Sequence, residues 1–546
     1  MFDVSDRMMK QFVANNSGRE LRRKLENMAD AMGDRAFSDR LAREVIARTQ
    51  PHRALPEVYA RYRAVVRDGI EFFLSQVGRQ RLIELALSQL KLDSDTSSQE
   101  RLLELAKQFP TLHKLGQLIA RNPHIDPAVK KWLTHLENGT YGTPADGIME
   151  QLDGIAATGA RKSRLQFQPF ILSEASVGAV VRFQWRPLLS SRQTEGVFKV
   201  LKPGVRSKLN AELAILEKTA GFFEKNRSRY SFKDFQFLEV FQEVRQMLAN
   251  EINLAAEQSF LDEAVEFFAN TEEIQIPRRL PLSTDTVTAM TYLNGTKITE
   301  AALSRRQRSH LAGVLFEALV CKPLFGRQSS SLFHGDPHAG NILAVEDPET
   351  GRLRIGLVDW TLAGHLTRSD RRKTIRLMQA VVKKDISGIR RSVKALAVKT
   401  AGDDSMQPQK IRALALDFIH APAFDRLSRI QKTFKLLEEL ADAGVVFPAE
   451  LMLFRKAIFT LEGVICDLCP SFDMDAAMYR YLTALITTEI PDRIANWFFP
   501  LADRPENYPS LISNVELQSL LIHQYIDTIG SSYRSFFESI WQGGTR

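Results

Sequence analysis

The run F-H-G-D-P-H-A-G-N-I-L, from Phe333 to Leu343, constrains this chain more than any other part of the sequence. It places a carboxylate at Asp336 and an amide at Asn341, five positions apart. The apolar run I-G-L-V then leads to a second carboxylate at Asp359. Carboxylate and amide oxygens are the ligands that Mg²⁺ takes from proteins, usually together with phosphate oxygens. The region therefore predicts phosphate chemistry.

The same spacing occurs in the catalytic loop of protein kinases, where an Asp handles the acceptor proton and an Asn five positions later binds Mg²⁺. By that comparison Asp336 is a candidate catalytic residue, and Asn341 is a candidate metal ligand. Asp359 stands where the second metal-binding carboxylate belongs. The sequence predicts a protein that uses ATP and Mg²⁺ as its cofactors.

A metal site of another kind is the main alternative for this region. His334, Asp336 and His338 form H-x-D-x-H, which supplies imidazole and carboxylate ligands to one ion. That interpretation gives no role to Asn341, or to the apolar strand before Asp359, whereas the kinase interpretation uses both. We therefore favour nucleotide binding.

The composition indicates a globular protein with more than one domain. The chain has 546 residues, of which 44% are hydrophobic and 25% charged. The net charge of +8 is mild for this length, and we expect no nucleic-acid partner. Three cysteines, no secretory signal and no long apolar run predict a cytoplasmic protein without a transmembrane segment. Any membrane contact, for example through the basic run Arg19–Lys24, would be peripheral.

Hydrophobic periodicity predicts an α+β chain in which a small antiparallel sheet is followed by helices. We expect strands at Phe167–Ile171, Val177–Trp185, Gly196–Leu201, Ile274–Pro277 and Thr286–Tyr292, a long helical region from about Val205 to Phe268, and mainly helices after the last strand. The predicted domains are a helical leader (1–108), a helical extension (109–165), a kinase-like N-lobe (166–293), a helical C-lobe (294–500) and a helical tail (501–546). This order of lobes is that of a two-lobe protein kinase.

Lys199, in G-V-F-K-V-L-K-P-G, ends a predicted strand between apolar neighbours. A lysine so placed is similar to the strand lysine that pairs with ATP phosphates in kinases. It needs an acidic partner, and Glu251 and Glu257 are the candidates. Their spacing of six residues puts them on different faces of a helix, so only one of them is expected to pair with Lys199.

Small residues lie ahead of Lys199 in S-E-A-S-V-G-A-V. At Ser176, Val177 and Gly178 they would let backbone amides approach phosphate groups. The segment is not a G-x-G-x-x-G loop, and an ordinary turn between strands remains the alternative.

Taken together, these segments resemble the UbiB/AarF (ADCK) family of atypical kinases, which is linked to coenzyme Q metabolism. The resemblance covers roughly Leu112 to Phe472, and its most diagnostic part is H-K-L-G-Q-L-I, where Lys114, Gly116 and Gln117 match the family's K-x-G-Q motif. S-E-A-S-V-G-A-V resembles its alanine-rich loop, E-I-N-L-A-A-E-Q its E-x-D helix, and M-T-Y-L-N-G its adenine-binding connector.

The resemblance implies roles for the matched residues. Lys199 would hold the α- and β-phosphates with Glu257 as its partner, and Glu251 would be the motif glutamate. Met290 and Tyr292 would contact the adenine. Lys114 would reach into the cleft as a further catalytic residue and obstruct protein substrates, which makes ATP hydrolysis the expected reaction.

Three departures from the family pattern leave the function open. Asn253 replaces the aspartate of E-x-D, Trp360-Thr361 replaces Phe-Gly after Asp359, and Glu174 adds a negative charge near the presumed phosphates. The favoured hypothesis is an ATPase that serves quinone or isoprenoid lipid metabolism, with a lipid or quinone-like molecule as partner. The alternatives are a small-molecule phosphotransferase of the aminoglycoside or choline kinase type, and a pseudokinase that acts as a binding scaffold.

Overall fold

The computed structural model describes most of the chain, in two compact units. The described residues are 18–55, 57–93, 95–109, 111–112, 145–159, 163–168, 170–174, 177–187, 193–230, 245, 248–347, 350–398, 408–498 and 503–519. The first unit consists of Met1–Ala256 with Arg279–Tyr292, and the second of Glu257–Arg278 with Leu293–Arg546. No helix in these ranges is both long and apolar enough to cross a membrane.

The first unit begins with helices that pack around one apolar core. They are α1 (Gly18–Met32), α2 (Asp34–Thr49), α3 (Arg63–Ser75), α4 (Arg79–Lys91), α5 (Ser98–Gln108) and, later in the chain, α7 (Val205–Lys225), whereas α6 (Ala145–Gly159) packs on the sheet. Phe37, Leu82 and Leu105 of the leader share this core with Leu209 of α7. Apolar residues at helical spacing thus place one face of each helix against the others.

A buried carboxylate also joins α7 to the end of the leader. Glu212 of α7 is fully buried, pairs with Arg81 of α4, and accepts hydrogen bonds from the backbone N–H (2.9 Å) and hydroxyl (2.6 Å) of Thr111. A buried charge is tolerated only when it is paired and hydrogen-bonded in this way.

The sheet of the first unit has five antiparallel strands. They are β1 (Ser163–Phe167), β2 (Ser173–Glu174), β3 (Gly178–Pro187), β4 (Thr194–Leu201) and β6 (Val287–Thr291), in the order β1-β3-β4-β6 with β2 beside β3. Ile148 and Leu152 of α6 cover one face, where the rings of Phe183 and Phe198 stack at 4.0 Å. Gly196 makes room for this stack, because a Cβ there would lie 2.4 Å from the Phe183 ring.

Three of the predicted strands of this sheet are confirmed, as β3, β4 and β6, but the prediction at Phe167–Ile171 is wrong. The regular strand β1 ends at Phe167, and the next residue still donates a hydrogen bond from the Gln168 N–H to the Arg182 carbonyl (2.9 Å). Pro169 carries no N–H, so this stretch of sequence cannot supply a complete set of ladder donors.

The second unit contains two small sheets among helices. Its strands are β5 (Ile274–Gln275), β7 (Gly295–Lys297), β8 (Ser330–His334), β9 (Ile342–Glu346), β10 (Leu353–Leu357) and β11 (Ala363–Thr367), arranged as β5-β10-β9-β7 and β8-β11. Its helices are α9 (Arg305–Phe316), a π-helical turn (Glu317–Cys321), α10 (Lys322–Phe325), α11 (Arg368–Val382), α12 (Ile386–Leu396), α13 (Pro408–His420), α14 (Arg429–Asp442), α15 (Ala449–Leu468), α16 (Met474–Thr488) and α17 (Ile490–Phe498). Helix α8 (Leu254–Phe267) spans the boundary between the units.

Helices dominate this unit as predicted, but of the strands in its described residues the sequence pattern identified only β5 and β10. It missed β7, β8, β9 and β11. Each of these strands has five residues or fewer, and β9 (I-L-A-V-E) begins with a continuous apolar run rather than an alternating pattern. Periodicity does not separate such runs from buried helical turns.

Candidate functional site

Strand ends bring Asp336, Asn341 and Asp359 to one edge of the second unit. Strands β9 and β10 are antiparallel, and Leu357 pairs with Ile342. Asn341 immediately precedes this pair, and its carbonyl accepts a hydrogen bond from the Val358 N–H at 3.0 Å. Asp359 is the next residue after Val358. The predicted metal ligands are therefore neighbours across the end of one hairpin.

Asp336 joins this edge through the other small sheet. Strand β8 ends at His334, which pairs with Ala363 of β11, and the Gly335 N–H donates to the Leu362 carbonyl at 2.8 Å. The Asn341 side-chain amide donates to the Asp336 carbonyl oxygen at 3.1 Å. The backbone of Asp336 is thus held by the residue predicted to bind the metal.

His334 is a structural residue whose two ring nitrogens both contact backbone groups. Nε2 donates to the Val358 carbonyl at 3.1 Å, and Nδ1 accepts the Asp336 N–H at 3.2 Å. The ring is buried and packs against Trp360, with ring centroids 4.7 Å apart. Neither nitrogen is left to ligate an ion, so the structure argues against the H-x-D-x-H metal site.

Burial also fixes the charge of His334. It lowers the pKa of the imidazole below its ordinary value of 6.5, against the opposing influence of the Val358 carbonyl and of Asp359 and Asp336. The unfolded chain therefore binds a proton at pH values where the folded chain does not. The stabilisation by neutral His334 is complete above about pH 6.5 and is lost as the pH falls below that value.

We therefore expect the free energy of unfolding to fall between pH 6.5 and pH 5 more steeply in the wild type than in His334→Gln, by up to about 1.4 kcal/mol per pH unit. Urea titrations at several pH values measure this difference. Parallel pH profiles of the two proteins would show that His334 is not held neutral.

Asp359 has an unusual backbone that aims its carboxylate. Its φ of 61° lies in the left-handed region, which residues other than glycine enter rarely and mostly at functional sites. Its Oδ1 accepts hydrogen bonds from the Thr361 hydroxyl (2.5 Å) and the Thr361 N–H (3.3 Å). Thr361, where kinases have glycine, therefore orients this carboxylate.

Trp360 occupies the core below the site. Its side chain is 1% exposed and lies between the rings of His334 and Phe268, whose centroid is 6.2 Å away. The replacement of Phe-Gly by Trp-Thr is thus accommodated by packing and by one hydrogen-bonded hydroxyl.

The donor set fits Mg²⁺ bound together with phosphate. The Asn341 amide nitrogen donates to the Asp336 carbonyl, so the amide oxygen is the atom that a cation would take. The second oxygen of Asp359 is the corresponding atom of the carboxylate. Among the described residues, no three His, Cys, Asp or Glu side chains form a metal cage of their own. Mg²⁺ is commonly held by one or two side chains plus phosphate oxygens and water.

In the first unit, the sheet places several predicted nucleotide-binding residues on one face. Lys199 of β4 lies in register between Val180 and Thr288, and its neighbours Phe198 and Val200 point into the opposite, covered face. Met290, two positions further along β6, shares the face of Lys199. The alternation of β-strands thus separates the lysine from the core.

The ends of this face are also ordered by the sheet. Gly178 begins β3 and pairs with Leu201, and a Cβ at Gly178 would lie 2.9 Å from the Val200 carbonyl oxygen. Tyr292 follows β6, donates its N–H to the Glu195 carbonyl at 3.0 Å, and stacks under Arg182 at 4.3 Å. The Tyr292 N–H is therefore used by the sheet, and its contribution to an adenine site would come from other atoms.

The carboxylate of Glu174 forms an ion pair with a lysine of the same unit. It lies 2.7 Å from the Lys202 ammonium, and both side chains are largely buried. Burial lowers the pKa of Lys202, while the hydrogen bond and charge of Glu174 favour its protonated form. The negative charge that the sequence places near the presumed phosphates is thus compensated within the first unit.

The asparagine that replaces the aspartate of the E-x-D motif stands at the start of α8. Asn253 accepts the Ala256 N–H at 3.1 Å and so caps α8, a role for which asparagine and aspartate are equally suited. Glu257 is buried on this helix, whereas Glu251 lies half-buried before it. The predicted residues Lys114, Gly116, Gln117 and Ser176 lie outside the described residues.

Comparison with known proteins is consistent with this arrangement. The ABC1 atypical kinase-like domain matches residues 159–393. This segment contains Lys199, Asp336, Asn341 and Asp359. The chain is thus similar to proteins of the UbiB/AarF family of atypical kinases. Its fold is accordingly the α+β, two-lobe protein-kinase-like fold with a helical N-terminal extension.

Similar proteins come from several lineages. A probable protein kinase UbiB of Xanthomonas euvesicatoria pv. vesicatoria is 23% identical, with 85% of this chain and 83% of the relative covered. Uncharacterized protein sll1770 of Synechocystis is 28% identical over 69% of this chain, and the chain spans only 62% of that relative. Protein ACTIVITY OF BC1 COMPLEX KINASE 7, chloroplastic, of Arabidopsis thaliana is 26% identical, with 69% and 53% covered.

A solved structure of the Rv3197–erythromycin complex from Mycobacterium tuberculosis is also similar. It is 18% identical, with 67% of this chain and 89% of the other covered, and the TM-score is 0.44.

Two residues of the site were missed as functional residues in the sequence. His334 was considered only as a metal ligand, although its position at the end of an apolar run two residues before Asp336 is a signal for a buried, positioning histidine. Thr361 was considered only as a departure from glycine. Its hydroxyl, two residues after the carboxylate, is the usual spacing for a local side-chain hydrogen bond.

Proposed function

We propose that this UbiB/AarF-like protein binds ATP with Mg²⁺ and hydrolyses it, in support of quinone or isoprenoid lipid metabolism. One observation carries the proposal. The Val358 N–H donates a hydrogen bond to the Asn341 carbonyl, so the two proposed Mg²⁺ ligands, Asn341 and Asp359, are neighbours at the end of one hairpin. Asp336 is tied to Asn341 beside them.

Each residue has a distinct role in the proposed reaction. Asn341 and Asp359 hold Mg²⁺, which when bound neutralises charge on the phosphate oxygens. By the family resemblance, Lys199 of β4 is the residue proposed to bind the phosphates, as a point charge on a strand. Asp336 accepts a proton from the water that attacks the γ-phosphate, with ADP as the leaving group. Its backbone is fixed on both sides by His334 and Asn341, which would hold the carboxylate in place.

The link to quinone or lipid metabolism rests on the family. The similarity to the relative named UbiB extends over most of this chain and most of that relative. The family that this chain resembles is linked to coenzyme Q metabolism. The proposed partner is a quinone-like or lipid molecule, and contact with a membrane would be peripheral. We expect ATP turnover to rise when anionic liposomes or a quinone-like phenol are added.

The test is phosphate release by the purified full chain with Mg²⁺ and ATP, with and without those additions. Lys199→Met is expected to lower kcat/KM by about 10- to 100-fold, since it removes one charged contact to the phosphates. Lys208→Met, an exposed lysine on α7, is the matched control and should retain wild-type turnover. Equal turnover in both variants would refute the role of Lys199.

A further inference from the structure

A cavity lies in the first unit, among residues that take no part in the site described above. It has a volume of about 870 Å³ and is bordered by α2, the turn after α2, α3 and the end of α7. Its lining includes Arg43, Arg53, Arg67 and Arg229. Guanidinium groups are the protein cations best suited to bidentate binding of oxyanions.

A buried carboxylate organises two of these arginines. Asp68 of α3 has a side chain only 9% exposed, whereas Arg67 and Arg229 are 44% and 60% exposed. One Asp68 oxygen contacts Arg67 at 2.9 Å, and the other contacts Arg229 at 3.1 Å and accepts the Tyr230 hydroxyl at 3.0 Å. Two partly exposed guanidinium groups are thus held beside each other before any ligand arrives, which lowers the entropic cost of binding.

His52 also lines the cavity and lies near three arginines. Burial lowers the pKa of its imidazole, and the guanidinium groups of Arg67, Arg53 and Arg63 lower it further. The guanidinium groups around His52 make this wall of the cavity positively charged.

The remaining wall limits what kind of anion fits. Phe72 lines the cavity and stacks on Phe222, with ring centroids 4.5 Å apart, which provides an apolar surface beside the arginines. Asp39 and Glu71 also line the cavity, and their charges disfavour a highly charged ligand such as a triphosphate. A single phosphate group on an apolar body matches this distribution.

We propose that this cavity binds a phosphate ester, with the phosphate held by Arg67, Arg229 and Arg53 and the apolar part on Phe72. The phosphate ester is either a free small molecule or the headgroup of an anionic lipid. This site is independent of the proposed ATP site.

The test uses the full chain and two forms of the same chemistry. Hexyl phosphate is titrated by calorimetry, and co-sedimentation is measured with phosphatidylcholine vesicles that contain phosphatidic acid. The variant Arg67→Gln/Arg229→Gln removes two cavity charges. The control Arg206→Gln/Arg245→Gln removes two positive charges from exposed ion pairs of the same unit, with Asp285 (3.1 Å) and Glu217 (3.0 Å).

We expect hexyl phosphate to bind the wild type and the control equally and the cavity variant about tenfold or more weakly. Arg53→Gln, which leaves the Asp68 contacts intact, should also weaken binding and guards against misfolding of the double variant. If the protein also binds the vesicles, and this binding depends on Arg67 and Arg229, the ligand is a lipid headgroup. If the protein binds hexyl phosphate but not the vesicles, the ligand is a free phosphate ester. No binding of hexyl phosphate, or equal binding by all variants, would overturn the proposal.

Discussion

Asp359→Asn is expected to reduce Mg²⁺-dependent ATP turnover by about 100-fold or more. The substitution removes the negative charge that attracts the metal but keeps an oxygen that can still accept the Thr361 hydroxyl, as Asp359 does at 2.5 Å. The local backbone should therefore survive, and the loss should be one of metal binding. Phosphate release at several Mg²⁺ concentrations measures it.

Asp425→Asn is the matched control for this prediction. Asp425 is an exposed carboxylate of the second unit, 3.5 Å from Lys384, and its neutralisation should leave turnover unchanged. Turnover of Asp359→Asn at the wild-type level, with the same Mg²⁺ dependence, would exclude Asp359 as a metal ligand.

Arg493→Met is expected to lower the free energy of unfolding by about 3–5 kcal/mol. Arg493 of α17 contacts Glu489 at 2.6 Å, and the two side chains are 7% and 1% exposed. Glu489 also accepts the Ser510 N–H at 2.6 Å, and Arg493 donates to the Ile512 carbonyl at 3.0 Å. Removal of the arginine leaves a buried carboxylate without its cation, which is the costly way to break a buried ion pair.

Urea titration followed by circular dichroism measures this loss. The double variant Glu489→Leu/Arg493→Met should recover part of the lost stability, because no buried charge remains. Arg391→Met removes an arginine that is 73% exposed and 3.8 Å from Asp385, and it should change the free energy of unfolding by less than about 0.5 kcal/mol. A similarly small effect of Arg493→Met would contradict the account of this cluster.

The grouping of Asp336, Asn341 and Asp359 could be predicted from the sequence because these residues lie close together along the chain. Asp336 and Asn341 lie in one loop, and a short apolar strand leads to Asp359, so the motif alone indicated their roles. The strand position of Lys199 followed from alternation, since apolar residues flank it on both sides. These inferences depended on neighbours within a few positions.

What the sequence did not reveal depends on contacts between distant residues. The pairing of Glu174 with Lys202 crosses 28 positions, and the organisation of Arg229 by Asp68 crosses 161. The strands β8 (S-S-L-F-H) and β9 (I-L-A-V-E) were missed because each has only five residues without apolar–polar alternation, and their partners define them as strands. No pattern in the sequence states which partner a buried charge or a short strand will find.

The central claim is that Asn341 and Asp359 bind Mg²⁺ together with ATP. Calorimetric titration of the wild-type protein with ATP, once with Mg²⁺ and once with EDTA, tests it most directly. We predict saturable binding with Mg²⁺ that weakens by at least about tenfold when the metal is chelated. Binding of equal strength in EDTA, or no binding in either condition, would contradict the claim.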